Sequence, residues 1–78
     1  MPHIVIKTIT GKPPEKLREA AEQIAAVVHD TLGVSEKVIS VSVEEYTLGE
    51  WEGVYNEVVK DKSNVLIKPG YTNPRTFE

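Results

Sequence analysis

The sequence predicts an α/β protein: a single βαβ unit with parallel strands and a C-terminal helix, its sheet extended by oligomerisation. Three observations carry this. Ile4 to Ile9 is an apolar, β-branched run, Glu15 to Leu32 changes to a helical period, and Val38 to Glu44 alternates apolar and polar residues. A strand, a long helix and a second strand connect as parallel neighbours through a right-handed crossover. Two strands alone are not independently stable, so the sheet is expected to continue across a subunit boundary.

In the first strand Ile4, Ile6 and Thr8 share one face and Val5, Lys7 and Ile9 the other, which predicts cover on both sides. Thr10-Gly11-Lys12-Pro13-Pro14 breaks the strand and leads into a helix whose first turn tolerates proline. Leu17, Ala20, Ala21, Ile24, Val27, Val28 and Leu32 make one broad apolar stripe. Arg18 and Glu22 are four apart on the outer face, where they can pair weakly. Glu15 suits the positive end of the helix dipole, and His29, read as a capping or solvated residue, the negative end. Gly33 is the stop.

The second strand sets Ile39, Val41 and Val43 against Ser40, Ser42 and Glu44, giving one apolar face. Glu44 and Glu45 point to opposite faces and are expected in solvent. After Tyr46-Thr47-Leu48-Gly49, helical spacing returns with Trp51, Val54, Tyr55 and Val58. Residues 61–68 fit either another helical turn or an extended segment, and Lys68-Pro69-Gly70-Tyr71 is a turn. Residues 72–78 read as a flexible tail that a partner surface could hold. The expected organisation is one domain, 1–78.

A chain of 78 residues buries only a little over ~60% of its unfolded surface. With no cysteine and no cluster of metal ligands to compensate, a homodimer or higher homo-oligomer is expected. Net charge is −3 with both signs scattered, which argues against nucleic acid or an anionic membrane as partner. No apolar run approaches the ~20 residues of a membrane span. The N-terminus does not read as a signal peptide, and a cytoplasmic location is the expectation.

Chemistry concentrates at Met1-Pro2-His3. Removal of the initiator methionine before a small second residue would make Pro2 a free secondary amine at the head of a strand. Such an amine serves as a general base near neutral pH once its charged form is disfavoured, by an apolar pocket or a neighbouring cation. Lys12 offers such a cation and a hold on a substrate carboxylate. Residue type alone favours the plainer reading, that Pro2 is a common second residue in an exposed terminus.

Pro2 opening a βαβ unit, Gly11-Lys12 after the first strand and an aromatic residue after the second strand together resemble the tautomerase superfamily, in particular the oxalocrotonate tautomerase-like family. Pro2-His3-Ile4, Trp51 heading a C-terminal helix and Lys68-Pro69-Gly70-Tyr71 are similar to its dimeric bacterial branch of phenylpyruvate-type tautomerases. The resemblance implies that Pro2 is the acid-base catalyst of keto-enol tautomerisation, with no cofactor. It implies that Lys12 stands where an arginine often binds a substrate carboxylate, and that Trp51 lines the pocket. Ser40 falls where the prototype has a second, carbonyl-polarising arginine, so a monoacid enol fits better than a diacid. Lysine keeps arginine's charge but loses its planar fork.

Parallel strands start at the same end, so Pro2 and Ser40 are expected at one edge. Lys12 and Trp51 follow the ends of strands, roughly 20 Å away, which predicts a site shared between protomers. His3 either tunes Pro2, contacts substrate or is a strand-edge histidine without a role. Trp51 is read as both pocket and interface, and Tyr55 as interface. The two histidines lack metal-ligand spacing, serine-based catalysis lacks a base, and Gly11-Lys12 is too short for a phosphate loop. The alternatives are a non-catalytic oligomeric module of the same fold, or a hydratase or dehalogenase of the superfamily, which needs a further carboxylate to activate water.

Overall fold

Strand β1 runs over His3–Ile9, where the β-branched residues cluster. It leads through Gly11, at φ 113° in a region closed to most side chains, into helix α1, Pro14–Leu32. A 3-10 turn at Glu36–Val38 and strand β2 at Ser40–Tyr46 follow. The two strands form a two-stranded parallel sheet, which makes the expected βαβ unit. The computed structural model describes residues 1–78, in two compact units, Met1–Glu45 and Tyr46–Glu78.

The ends of α1 follow from chemistry at single residues. Pro13 lacks a capping side chain, but its carbonyl accepts the N–H groups of Lys16 (3.0 Å) and Leu17 (3.2 Å). Pro14 at the first position forfeits nothing, because that N–H would have no helical partner. At the other end Gly33 turns left-handed (φ 69°) and its N–H bonds the His29 carbonyl at 3.0 Å. His29 itself donates from Nδ1 to the Val34 carbonyl at 2.6 Å. On the outer face the ion pair is Lys16–Glu19 at 3.2 Å, not the expected Arg18–Glu22.

The second strand starts two residues later than its alternation suggests. The Ser35 hydroxyl accepts the Lys37 N–H (3.3 Å), which winds Glu36–Val38 into the 3-10 turn. Leu17, Ala21 and Ala25 of α1 then line a shared groove with Ile39, Val41 and Val43, so the helix covers the apolar face of β2. The opposite face carries His3, Ser40, Ser42 and the Lys7–Glu44 ion pair (3.0 Å), which takes Glu44 out of its expected free solvation. Val5 on that face is 43% exposed. Cover on both sides of β1 is therefore not supplied within one chain. Nor is the helix stripe fully covered, since Val27 and Leu32 are 61% and 63% exposed. No helix is long and apolar enough to cross a membrane.

In the second unit Thr47 opens helix α2, Leu48–Val54, with a reciprocal cap. Its hydroxyl accepts the Glu50 N–H (3.2 Å), and the Glu50 carboxylate accepts the Thr47 N–H (2.7 Å). A π-helical turn, Tyr55–Val59, continues it and closes with Lys60 N–H on the Tyr55 carbonyl at 2.8 Å. Val54 and Tyr55 are the two buried hydrophobic residues of the chain. Residues 61–68 form turns and bends, with Asp61 at φ 56°. Residues 72–78 hold a turn of their own. Thr72 and Asn73 N–H both bond the Glu78 carbonyl at 3.1 Å, and the Arg75 guanidinium grips the Glu52 carboxylate with two nitrogens.

Candidate active site

The heads of β1 and β2 meet at Pro2 and Ser40. Ser40 N–H donates to the Pro2 carbonyl at 3.2 Å, which fixes the residue after the amine within the sheet ladder. Pro2 is half-buried. Directly beside it, the His3 ring spans two serines of β2: Nδ1 lies 2.7 Å from Ser40 Oγ and Nε2 lies 3.2 Å from Ser42 Oγ. This bridge follows from parallel register, because odd residues of β1 and even residues of β2 project from the same face. Pro2 and Ser40 are thus brought together as expected. Ser42 was not among the expected site residues, and its only sequence signal is its place two residues beyond Ser40.

Lys12 stands at the other end of β1. The strand has seven residues, which puts the ammonium about 20 Å from Pro2. Its Nζ donates to the Ile9 carbonyl at 3.2 Å and is exposed, so two N–H donors stay available. A substrate of a few carbon atoms cannot span these two residues within one chain.

Trp51 sits in the second unit, half-buried on α2. Its indole N–H donates to the Tyr71 hydroxyl at 2.9 Å, and its ring meets Tyr46 edge-on at 6.4 Å. Tyr71 also packs against Tyr55 (5.5 Å) and Phe77 (5.1 Å). The indole is therefore held by its polar edge. Tyr71 had no expected role beyond a turn; an aromatic with a hydroxyl just after Pro69-Gly70 was the available hint.

Two carboxylates are held below their ordinary range. The Glu50 carboxylate is stabilised by the Thr47 backbone N–H and then by the Thr47 hydroxyl, and Glu52 by its hydrogen bonds from Arg75. Both are structural in their contacts. No three His, Asp or Glu side chains converge in a metal-binding arrangement.

The model of a family described as tautomerase enzyme matches residues 2–62. The chain belongs to the tautomerase family. A probable tautomerase of Xylella fastidiosa is 34% identical over 73 residues, which are 91% of this chain and 89% of that protein. Tautomerase PptA of Pectobacterium carotovorum is 33% identical over 75 residues, 92% of this chain and 99% of the relative. The 2-hydroxymuconate tautomerase of Bacillus subtilis shares 36% over 45 residues, 58% of this chain and 73% of its own. Among solved structures, the 4-oxalocrotonate tautomerase homologue TomN of the tomaymycin biosynthetic pathway superposes with a TM-score of 0.62 at 30% identity, over 64% of this chain and 77% of its own. The tautomerase family supplies isomerase activity of the tautomerase type and small-molecule substrates as the general description.

Proposed function

We propose that this tautomerase interconverts the keto and enol forms of a small 2-oxo monocarboxylate, with the amine of Pro2 as acid-base catalyst once Met1 is removed. The observation that carries this reading is the placement of Pro2, tied by its carbonyl to Ser40 N–H at the head of the sheet, where the family match also begins. A proline amine held on a strand abstracts a proton from the enol hydroxyl or the substrate carbon and returns it to the other position, so no cofactor is required. The Lys12 ammonium binds the carboxylate. The Ser40 hydroxyl donates to the carbonyl oxygen where negative charge develops. The apolar face of Trp51 excludes water.

Lysine and serine at these two positions favour a monoacid. One ammonium is a point charge without a bidentate fork, and one hydroxyl brings a donor without charge. In this reading Lys12 comes from another protomer, supported by its separation from Pro2 along β1, and the working form is a homo-oligomer, a dimer at least.

The test is ultraviolet monitoring of phenylpyruvate enol ketonisation, with intact mass confirming loss of Met1. Wild type should exceed the buffer rate, and Pro2→Ala should lose about 10²-fold or more, the scale of a positioned proton-transfer group. A wild-type rate equal to buffer, with Met1 removed, would instead indicate a non-catalytic oligomeric module.

A further inference from the structure

The His3 bridge at the head of the sheet is not explained by packing, since His3 and Ser40 are both exposed. It has a consequence for the Ser40 hydroxyl. A serine hydroxyl has one hydrogen. If that hydrogen is given to His3 Nδ1, nothing is left to donate to a substrate oxygen, and Ser40 presents only lone pairs.

A neutral imidazole allows two proton orders along Ser42, His3 and Ser40. In one, Ser40 donates to Nδ1 and Nε2–H donates to Ser42, leaving the free hydroxyl hydrogen at Ser42. In the other, Ser42 donates to Nε2 and Nδ1–H donates to Ser40, leaving the free hydrogen at Ser40. Ser42 is half-buried and Ser40 is exposed. An unmatched donor is costlier to cover than an unfilled acceptor lone pair. The second order uses the Ser42 hydrogen internally and places the free one at the exposed end, beside Pro2.

We propose that His3 is a positioning residue that, by donating from Nδ1 to Ser40 Oγ (2.7 Å) while accepting from Ser42 at Nε2 (3.2 Å), turns the Ser40 hydroxyl hydrogen outward towards the substrate carbonyl. This rests on the tautomerase reading above. Ser40 thereby becomes an obligate donor in spite of carrying no charge, and Ser42 is the anchor of the relay. Removing the His3 end of the Nδ1–Oγ bond frees the hydroxyl to rotate or to be occupied by water, and removing the Ser40 end removes the donor itself.

The experiment combines ring nitrogen NMR with kinetics. Long-range proton–nitrogen correlation, with the His3 signal assigned by its disappearance in His3→Asn, should show the Nδ1–H tautomer. Enol ketonisation should fall roughly threefold to tenfold in kcat, with KM little changed, in His3→Ala and Ser40→Ala alike, the scale of one neutral hydrogen bond. The double variant should be no slower than either single variant. His3→Asn places an amide donor near the position of Nδ1 and should recover most of the rate, whereas His3→Gln should not.

An Nε2–H tautomer at His3 overturns the proposal. So does a His3→Ala rate equal to wild type beside an impaired Ser40→Ala, or multiplicative losses in the double variant. If wild type itself fails to outpace buffer, the catalytic reading falls and takes the substrate-directed role with it, while the tautomer still decides the proton order independently of turnover.

Discussion

Individual side chains here are held mainly by neighbours a short reach away, and each bond says what a substitution should do. Lys12 is exposed and spends one donor on the Ile9 carbonyl. Lys12→Ala should therefore leave folding intact but raise KM for a 2-oxo acid about tenfold, the scale of a hydrogen bond to a charged group. Lys12→Arg should restore or improve binding, and steady-state kinetics on the two variants checks both. Tyr71 is different in kind, because its hydroxyl accepts the Trp51 indole N–H at 2.9 Å. Tyr71→Phe keeps the ring contacts with Tyr55 and Phe77 but strands a half-buried donor. It should cost about 1 kcal/mol of stability and shift tryptophan emission, read by urea titration and fluorescence. Pro2 and Lys12 were nominated from their residue chemistry, and Ser40 and Trp51 from the resemblance to the tautomerase family. The partners Ser42 and Tyr71 were not, because a serine on a polar strand face and a tyrosine in a turn are chemically ordinary until register or chain reversal brings them to their partners.

Helix α1 was legible nearly to the residue, since Pro13, Pro14, Glu15, His29 and Gly33 are local signals that act where they stand. Strand β2 was placed two residues early. Val38 fits an alternating strand, but the Ser35 hydroxyl binds the Lys37 N–H and draws the segment into a turn, a competition that hydrophobic period does not see. In the second unit the Thr47–Glu50 cap was equally local, while the Glu52–Arg75 pair spans 23 residues and left no periodic trace. Thr47→Ala should destabilise by about 1 kcal/mol, measured as a lower urea midpoint at constant slope. Acid should act through the same segment. The carboxylates of Glu50 and Glu52 are held below the ordinary value of 4.5, so their stabilisation is complete above that value and is lost as pH falls through and below it. Circular dichroism and tryptophan emission followed downwards from neutral pH should show the second unit weakening in that range. Glu52→Gln should remove the Arg75 part of the response, because an amide does not titrate.

At the scale of the whole molecule, one chain does not finish its own structure. The first unit has no buried residue, β1 has its outer face open at Val5, and α1 leaves Val27 and Leu32 largely exposed. Pro2 and Lys12 stand at opposite ends of a seven-residue strand. Under the proposed function a second copy covers this apolar surface and supplies the carboxylate-binding cation. Complementation separates this from a site built within one chain. Pro2→Ala and Lys12→Ala proteins should each be impaired alone. If they are unfolded together in urea and refolded in equal amounts, random pairing makes half of the dimers mixed. In a mixed dimer one site receives both substitutions and the other receives an intact Pro2 from one chain and an intact Lys12 from its partner. Activity at low substrate should therefore recover to about a quarter of wild type for two equivalent shared sites in a symmetric dimer. If Pro2 and Lys12 worked in the same chain, every site would carry one substitution, and the mixture would give no more than the average of its two components.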